Sequence, residues 1–403
     1  MNFIMKNDER RVLIVSQLPK EAGGNYTTGI ARVAENLYQM RFDSVKVFWY
    51  FTNVPNKVAI SKCHFKYQYN GYRIIPLQML WNILKHPFKT LKEWSHYRKI
   101  DKVNPLRYEF YKANFMSIIG KIRPSVIHLH GSSVSPLYYA KEGANAKFLL
   151  TFHGIMYNPE DAKSLHFKPW YDSLMPMADF FTVLNKETER KAINLGMPKD
   201  RFVVIPNGVD TERFYFSEKD RDMLREKIGA TEDCVVFMTT GAVIDRKGQF
   251  DFIQILQSLN INYQYWIIGE GVDVHKIQQY SETYGLSARI KLLGYVDGRE
   301  LYKYLSASDI YAHVSTTEGQ ALSEIEAYAT GLKIIVRKEI MNTVIGDVDH
   351  DQDNYYVLDF NNYDAASILM WINKKPFIRT SRDKYAWKSV AKQYDSLYNT
   401  LLG

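Results

Sequence analysis

The chain of 403 residues is 46% hydrophobic and 14% aromatic, enough for two ordinary domains with cores of their own, which excludes a disordered chain. Its two cysteines, Cys63 and Cys234, make no disulfide framework and no Cys-x-x-Cys pair; MNFIMKNDERR lacks the apolar stretch of a signal peptide, and no run approaches about 18 uninterrupted apolar residues, so a soluble, cytoplasmic protein is expected. The net charge of +8 is uneven: residues 1–200 hold 29 Lys and Arg against 16 Asp and Glu, net +13, while residues 201–403 are net −5. A basic first half favours anionic partners such as nucleic acid, anionic lipid or a phosphate-bearing substrate.

In chain order, apolar β-rich runs alternate with helical patterns: RVLIVSQL, VKVFWYFT, SVIHLHG, KFLLTFHG and FFTVLN. After VVIPNGVD and the polar TERFYFSEKDRDMLREKIG a second series follows: CVVFMTTG, YWIIGEG, IKLLGYV, DIYAHVS and KIIVRK. Continuous apolar strands separated by helices predict parallel sheets covered on both faces, and two series predict two such domains, with a boundary near Pro206 to Gly208.

The alternation breaks between about Asn53 and Lys121. Asn70-Gly71 in YQYNGYRII signals a hairpin turn. WNILKHPFKTLKEWSHYRKIDK, Trp81 to Lys102, carries six Lys and Arg against two acids, with Trp81, Ile83, Leu84, Phe88, Leu91, Trp94 and Tyr97 interleaved. Two readings fit: a stretch lying on an anionic membrane surface, or a helix packed on its own domain with a solvated basic face, broken near Pro87.

Gly23 and Gly24 follow the first strand, where the backbone could approach a ligand and the next helix's amides would favour an anion. In the second series Arg246 and Lys247 follow a strand's carboxyl end and precede a helix, the position where open α/β sheets bind ligands. GEG (Gly269 to Gly271) and LLGYV are strand ends where backbone groups could meet a base or sugar. EGQALSEIE, Glu318 to Glu326, places two glutamates eight residues apart; as two helical turns their carboxylates would lie roughly 12 Å apart, about the reach of a nucleotide sugar's diphosphate. Solvated acids on a helix are the plain alternative. His128 and His130 in HLHG share a strand face, with structural or cleft-lining roles favoured over a metal because no acid or cysteine is nearby.

Taken together, IPNGVDTERF, GAVIDRKGQ, WIIGEG, the long IKLLGYVDGRELYKYLSASDIYAHVSTTEGQALSEIEAYATG and the late YAWKSVAKQYDSLYNTLL resemble the retaining, nucleotide-sugar-dependent glycosyltransferases of family 4, of bacterial surface-polysaccharide type. The resemblance covers nearly all of the second half, and in the first half rests on GGNYTTGIARVAENL, VIHLHG and TFHG. It implies an α/β, GT-B fold: two Rossmann-like domains facing across a cleft, residues 1–205 on the acceptor side and 206–384 for the donor. A C-terminal helix from about Tyr385 to Leu402 would cross back, so that 385–403 completes the first domain. It also implies catalytic positions at His153, Lys247 and Glu318, with Lys247 neutralising the leaving diphosphate and Glu318 and His153 at the donor sugar. Glu326 would hold the ribose hydroxyls, and helix-start amides near Gly319, Gln320, Ala321 and Leu322 would face the diphosphate, with Gly23, Gly24 and Arg246 also substrate-binding. Glu324 is read as structural.

The implied reaction moves a sugar from a nucleoside-diphosphate donor to a glycan or lipid-linked acceptor in cell-surface polysaccharide synthesis, with no cofactor and no metal. The run DVDHDQD lacks the glycine and glutamate of a calcium loop. Contact with an anionic membrane at the inner face of the cell membrane is a further expectation, whereas no nucleic-acid-binding motif accompanies the basic charge. Three departures stand out: Ala242 occupies the position of a common phosphate-loop arginine, Gln320 and Ala321 replace the commoner Phe and Gly or Pro, and the loop after KIIVRK lacks the usual glycine pair and glutamate. They leave open the donor's identity and a reduced or lost activity, as in a non-catalytic GT-B glycan-binding partner; a nucleotide-sugar epimerase, which shares the architecture, is a further alternative.

Overall fold

The computed structural model describes residues 10–17, 29–51, 76–101, 105–131, 144–345, 351–374 and 385–403. Gly23, Gly24, the Asn70-Gly71 turn, Asp347 and Asp349 lie outside the described residues. Two compact units divide the chain: Met1–Leu184, Thr188–Ile205 and Val390–Gly403 form one, and Asn185–Glu187 with Pro206–Ser389 the other.

The first half runs β1 (Arg11–Ser16), α1 (Gly29–Gln39), β2 (Lys46–Phe51), α2 (Pro76–Lys85), α3 (Pro87–Asp101), α4 (Pro105–Ile122), β3 (Val126–His130), β4 (Lys147–Phe152), α5 (Lys168–Leu174), β5 (Phe180–Val183), α6 (Lys186–Asn194) and β6 (Phe202–Val204). The six strands form one parallel sheet in the order β2-β1-β3-β4-β5-β6. β1 is buried along its whole length, as a strand covered on both faces must be. One layer of the core joins Leu13, Ile127, Leu150 and Phe181 from the sheet to Phe115, Ile118 and Ile122 of α4.

The second half runs β7 (Val235–Thr240), preceded by α7 (Glu218–Ile228), then α8 (Gln249–Gln257), β8 (Tyr263–Ile268), α9 (Val274–Thr283), β9 (Ile290–Gly294), α10 (Leu301–Ala307), β10 (Ile310–His313), α11 (Leu322–Thr330), β11 (Lys333–Arg337), β12 (Tyr355–Leu358) and α12 (Ala365–Ile372). Its parallel sheet has the order β12-β11-β10-β7-β8-β9. α7 shows why these helices start and stop where they do: Ser217 caps it by accepting from Asp220 N–H, and Gly229 ends it in the left-handed region at φ 79°.

The last helix, α13 (Trp387–Leu402), packs on the first sheet through its residues beyond 390. The Tyr398 hydroxyl hydrogen-bonds His128 Nδ1 at 2.7 Å, Asp395 accepts from the Ser44 hydroxyl at 2.7 Å, and Asn399 accepts from Arg10 at 2.7 Å. His128 is fully buried with its other nitrogen 2.7 Å from Thr151 Oγ1 of β4, so the ring links the sheet to α13.

Candidate active site

In the second sheet the strand order reverses between β7 and β10. Open parallel sheets bind ligands beyond the carboxyl ends of their strands at such a point. Two loops leave from it, residues 241–248 after β7 and 314–321 after β10.

The loops are knit together by close backbone approach. Gly248 sits at φ 69°, and a Cβ there would lie 2.2 Å from the Val314 carbonyl oxygen, so only glycine permits this crossing. Thr316 N–H donates to the Arg246 carbonyl at 2.9 Å, and the Arg246 guanidinium donates to the Thr317 carbonyl at 2.8 Å. Lys247 and Glu318 then meet in an ion pair, both mostly buried, with Arg246 3.4 Å from the same carboxylate oxygen. Burial works against the charge on Glu318, but the Lys247 ammonium beside it, with help from Arg246, outweighs that and holds the carboxyl below its usual range.

The helical reading of the glutamate pair is corrected here. α11 begins at Leu322, so Glu318 lies in the preceding loop and a separation of two helical turns does not apply. The cause is lateral hydrogen bonding. Asn185 Nδ2 donates to the Gly319 carbonyl at 2.6 Å; Gln320 Oε1 accepts from Asn207 N–H at 2.7 Å, and Asn207 Nδ2 donates to the Gln320 carbonyl at 3.3 Å. These bonds hold 319 and 320 out of the helix and engage the Gln320 side chain with the chain's own backbone. Ala321 is the N-cap, extended at φ −81° and ψ 121°, and offers no side-chain cap to the first amides of α11.

Glu326 lies on α11, buried. Its charge adds to the burial that raises the Tyr311 phenol of β10, whose Oη is 3.2 Å from Thr240 Oγ1 at the end of β7. Glu324 is fully buried and accepts from Tyr355 Oη at 2.7 Å and Ile345 N–H at 3.2 Å, a structural use. Gly269 and Gly271 admit the chain's own loop: a Cβ at 269 would fall 1.9 Å from the Gly241 oxygen and one at 271 2.0 Å from the Val243 oxygen.

His313, at the end of β10, carries no motif and is not singled out by the sequence pattern. It is buried, and its Nε2 has no hydrogen-bond partner among the described residues. Burial pushes it down to about 4, with Glu318 raising and Lys247 lowering it. It is therefore a neutral imidazole next to the ion pair.

In the first unit His153 follows β4, half-buried, with Nε2 3.0 Å from His130 Nδ1. Loss of solvent pushes His153 down to about 4, and burial, then the neighbouring His128 and His153, lowers His130 well below its usual value. A Cβ on Gly131, at φ 60°, would lie 2.4 Å from Ile30 Cδ1 and 3.5 Å from the His153 ring. Among the described residues no group of three or more His, Cys, Asp or Glu is placed to hold a metal ion.

Two parallel six-stranded sheets with this order define the GT-B class of α/β fold. A sucrose-phosphate synthase structure from Thermosynechococcus elongatus aligns over 98% of this chain and 99% of its own, with a TM-score of 0.68 and 17% identity. The structure of Anabaena HepE in complex with UDP and glucose aligns over 98% and 97%, with a TM-score of 0.64 and 16% identity. Two family models match in succession, Glycosyltransferase Family 4 over residues 57–213 and Glycosyl transferases group 1 over residues 220–374, and the chain belongs to this family of GT-B glycosyltransferases.

Among curated relatives, the alpha-monoglucosyldiacylglycerol synthase of Acholeplasma laidlawii is 26% identical over 50% of this chain and 53% of its own length. A UDP-Gal:alpha-D-GlcNAc-diphosphoundecaprenol alpha-1,3-galactosyltransferase of Escherichia coli is 24% identical over 62% of this chain and 66% of its own. The chain thus spans between about half and two thirds of these relatives.

Proposed function

We propose that the protein is a retaining glycosyltransferase that moves a sugar, of hexose type, from a nucleoside diphosphate to a glycan or lipid-linked acceptor in cell-surface polysaccharide synthesis. The observation that carries this reading is the Lys247–Glu318 pair at the strand-order reversal of the second sheet, with Glu326 buried on the helix that follows. The relatives add support: the HepE structures hold UDP with glucose or UDP-glucose, and two curated relatives are named for glycosyl transfer to a diacylglycerol lipid or a diphosphoundecaprenol-linked sugar.

In this mechanism the bond between the anomeric carbon and the diphosphate oxygen breaks while negative charge builds on the phosphate. The Lys247 ammonium meets that charge, and stabilises it more in the transition state than in the ground state. Arg246 adds a second cation, and the uncapped amides at the start of α11 add a partial positive charge. Glu318 orients the donor sugar and Glu326 accepts hydrogen bonds from the ribose hydroxyls. The acceptor hydroxyl attacks the same face that the phosphate leaves, and its proton passes to the departing phosphate oxygen, so no protein nucleophile is assigned. The chemistry is read as metal-independent because these cations and amides supply the positive charge. The assignment of His153 to the donor sugar, and of Gly23 and Gly24 to the substrate, rests on the family resemblance.

Ala242 favours one second reading, a glycan-binding partner without turnover, since one common phosphate cation is replaced there by a methyl group. The test is a panel of UDP-, GDP- and ADP-sugars with the purified protein, following thermal stability and slow release of free nucleotide, with Lys247→Ala alongside. Stabilisation by one donor and turnover that Lys247→Ala abolishes is the expected result. Stabilisation without any turnover in either protein supports the non-catalytic partner instead.

A further inference from the structure

The helices α2 and α3 hold several large apolar side chains in water. Trp94 Nε1 of α3 donates to the buried Glu109 of α4 at 3.1 Å, Glu93 is ion-paired with Lys112 of α4, and Thr90 is buried. Positions 90, 93 and 94 are thus the face that meets the protein. At about 3.6 residues per turn, Phe88 falls on the far side of the same helix and Leu91 on its flank. They are 86% and 58% exposed. On α2, Leu80, Trp81 and Leu84 form one stripe at i, i+1 and i+4, and Trp81 and Leu84 are 65% and 74% exposed. A helix on a soluble domain points its apolar stripe at the core; here two successive helices hold five large apolar side chains in solvent.

Along the chain, the exposed charges interleaved with these side chains have one sign. Lys85, Lys89 and Lys92 are exposed, and the only acid between residues 80 and 95 is Glu93, which Lys112 neutralises. We propose that the α2–α3 segment docks on an anionic phospholipid bilayer, with Trp81, Leu84, Phe88 and Leu91 entering the headgroup and upper acyl region and the lysines meeting lipid phosphates. Aromatic and aliphatic tips with lysine stems that can extend toward the headgroups suit an interface that is apolar on one side and anionic on the other. A protein partner fits less well, because a standard protein interface draws about 20 to 30 residues from each side, and this patch offers five large apolar side chains. Among the described residues no helix is long and apolar enough to cross a membrane, so the contact is peripheral. This inference stands independently of the transferase reading.

The test is sedimentation of the full chain with vesicles of phosphatidylcholine alone and with equimolar phosphatidylcholine and phosphatidylglycerol, at low and at physiological salt. Binding to the anionic vesicles only, weakened by salt, is expected. Lys85→Ser, Lys89→Ser and Lys92→Ser combined should weaken it about a hundredfold, from about fivefold per lysine. Leu84→Asp with Phe88→Asp should abolish it, and the thermal midpoint of both variants, measured alongside, shows that they remain folded. Absence of binding to anionic vesicles, equal binding to both vesicle types, or unchanged binding by both variants overturns the proposal. Self-association of the wild type that Leu84→Asp with Phe88→Asp removes, without vesicle binding, overturns it in favour of a second copy of the chain.

Discussion

Lys247 and Glu318, 71 positions apart in the chain, share an ion pair where the strand order of the second sheet reverses. A diphosphate arriving at this point meets an ammonium already engaged, so binding must add to the pair or draw Lys247 from it. Lys247→Ala leaves Glu318 mostly buried with only the more distant Arg246 as a cation. We expect that variant to lose about 10²–10³ in turnover, the scale seen when one fixed charge-stabilising group is removed, and to lose stability as well. Combining Lys247→Met with Glu318→Gln should restore part of the stability and none of the turnover. A double-mutant cycle by denaturant unfolding should give a coupling of about 0.5–3 kcal/mol; strictly additive effects would show that the pair does not matter to the fold.

Glu326→Ala removes a buried carboxylate from the second turn of α11. If it holds the ribose, nucleotide affinity should weaken by about ten- to a hundredfold, the equivalent of a hydrogen bond to a charged group worth about 1.5–3 kcal/mol. Calorimetric titration with the free nucleotide measures this directly, and an unchanged affinity would remove the ribose role.

Acid should destabilise the protein well above the range where carboxylates titrate. His128 is pushed down to about 3, His153 and His313 to about 4, and His130 lower than usual, all chiefly by burial. The unfolded chain, with histidines near about 6.5, takes up protons first. Stability is therefore complete above about pH 6.5 and falls as the pH drops toward 4, with a slope approaching about 1.4 kcal/mol per pH unit for each histidine. Denaturant midpoints between pH 7.5 and 4.5 check this; a flat profile would mean that these rings are hydrated.

Gly269→Ala and Gly285→Ala both introduce a side chain at positive φ, but only the first meets an obstacle. The new Cβ at 269 would lie 1.9 Å from the Gly241 oxygen, while nothing lies within 4 Å of the one at 285. We expect Gly285→Ala to cost about 1–2 kcal/mol, the left-handed strain alone, and Gly269→Ala to cost more and to displace the 241–248 loop. Thermal unfolding and nucleotide titration of the two variants together separate strain from collision.

The strands were legible because both faces of each sheet are covered: VLIV and YWII read as unbroken apolar runs, and they are buried as such. The order of those strands, and so the meeting of Lys247 with Glu318, follows from the alternation of strand and helix together with the fold it implies. Less legible was whatever depends on distant partners. The start of α11 at Leu322 is set by Asn185 and Asn207, 134 and 113 positions from their bonds to Gly319 and Gln320, and no local pattern encodes that. His313 lies in an apolar strand where a lone histidine gives no signal. The apolar residues of α2 and α3 could be counted in sequence, but which of them face outward is decided by Trp94 and Glu93 reaching α4.

Within α11, two acids two positions apart answer to different masters. Glu324 ties the helix to Tyr355 and Ile345 and serves the unliganded molecule, whereas Glu326, whose charge reaches Tyr311 of β10, is assigned to the donor's ribose. A screen for activity alone would score both positions as intolerant and could not tell scaffold from site. Screened for folding in a Lys247→Ala background, where turnover no longer matters, position 324 should remain strict and position 326 should become permissive.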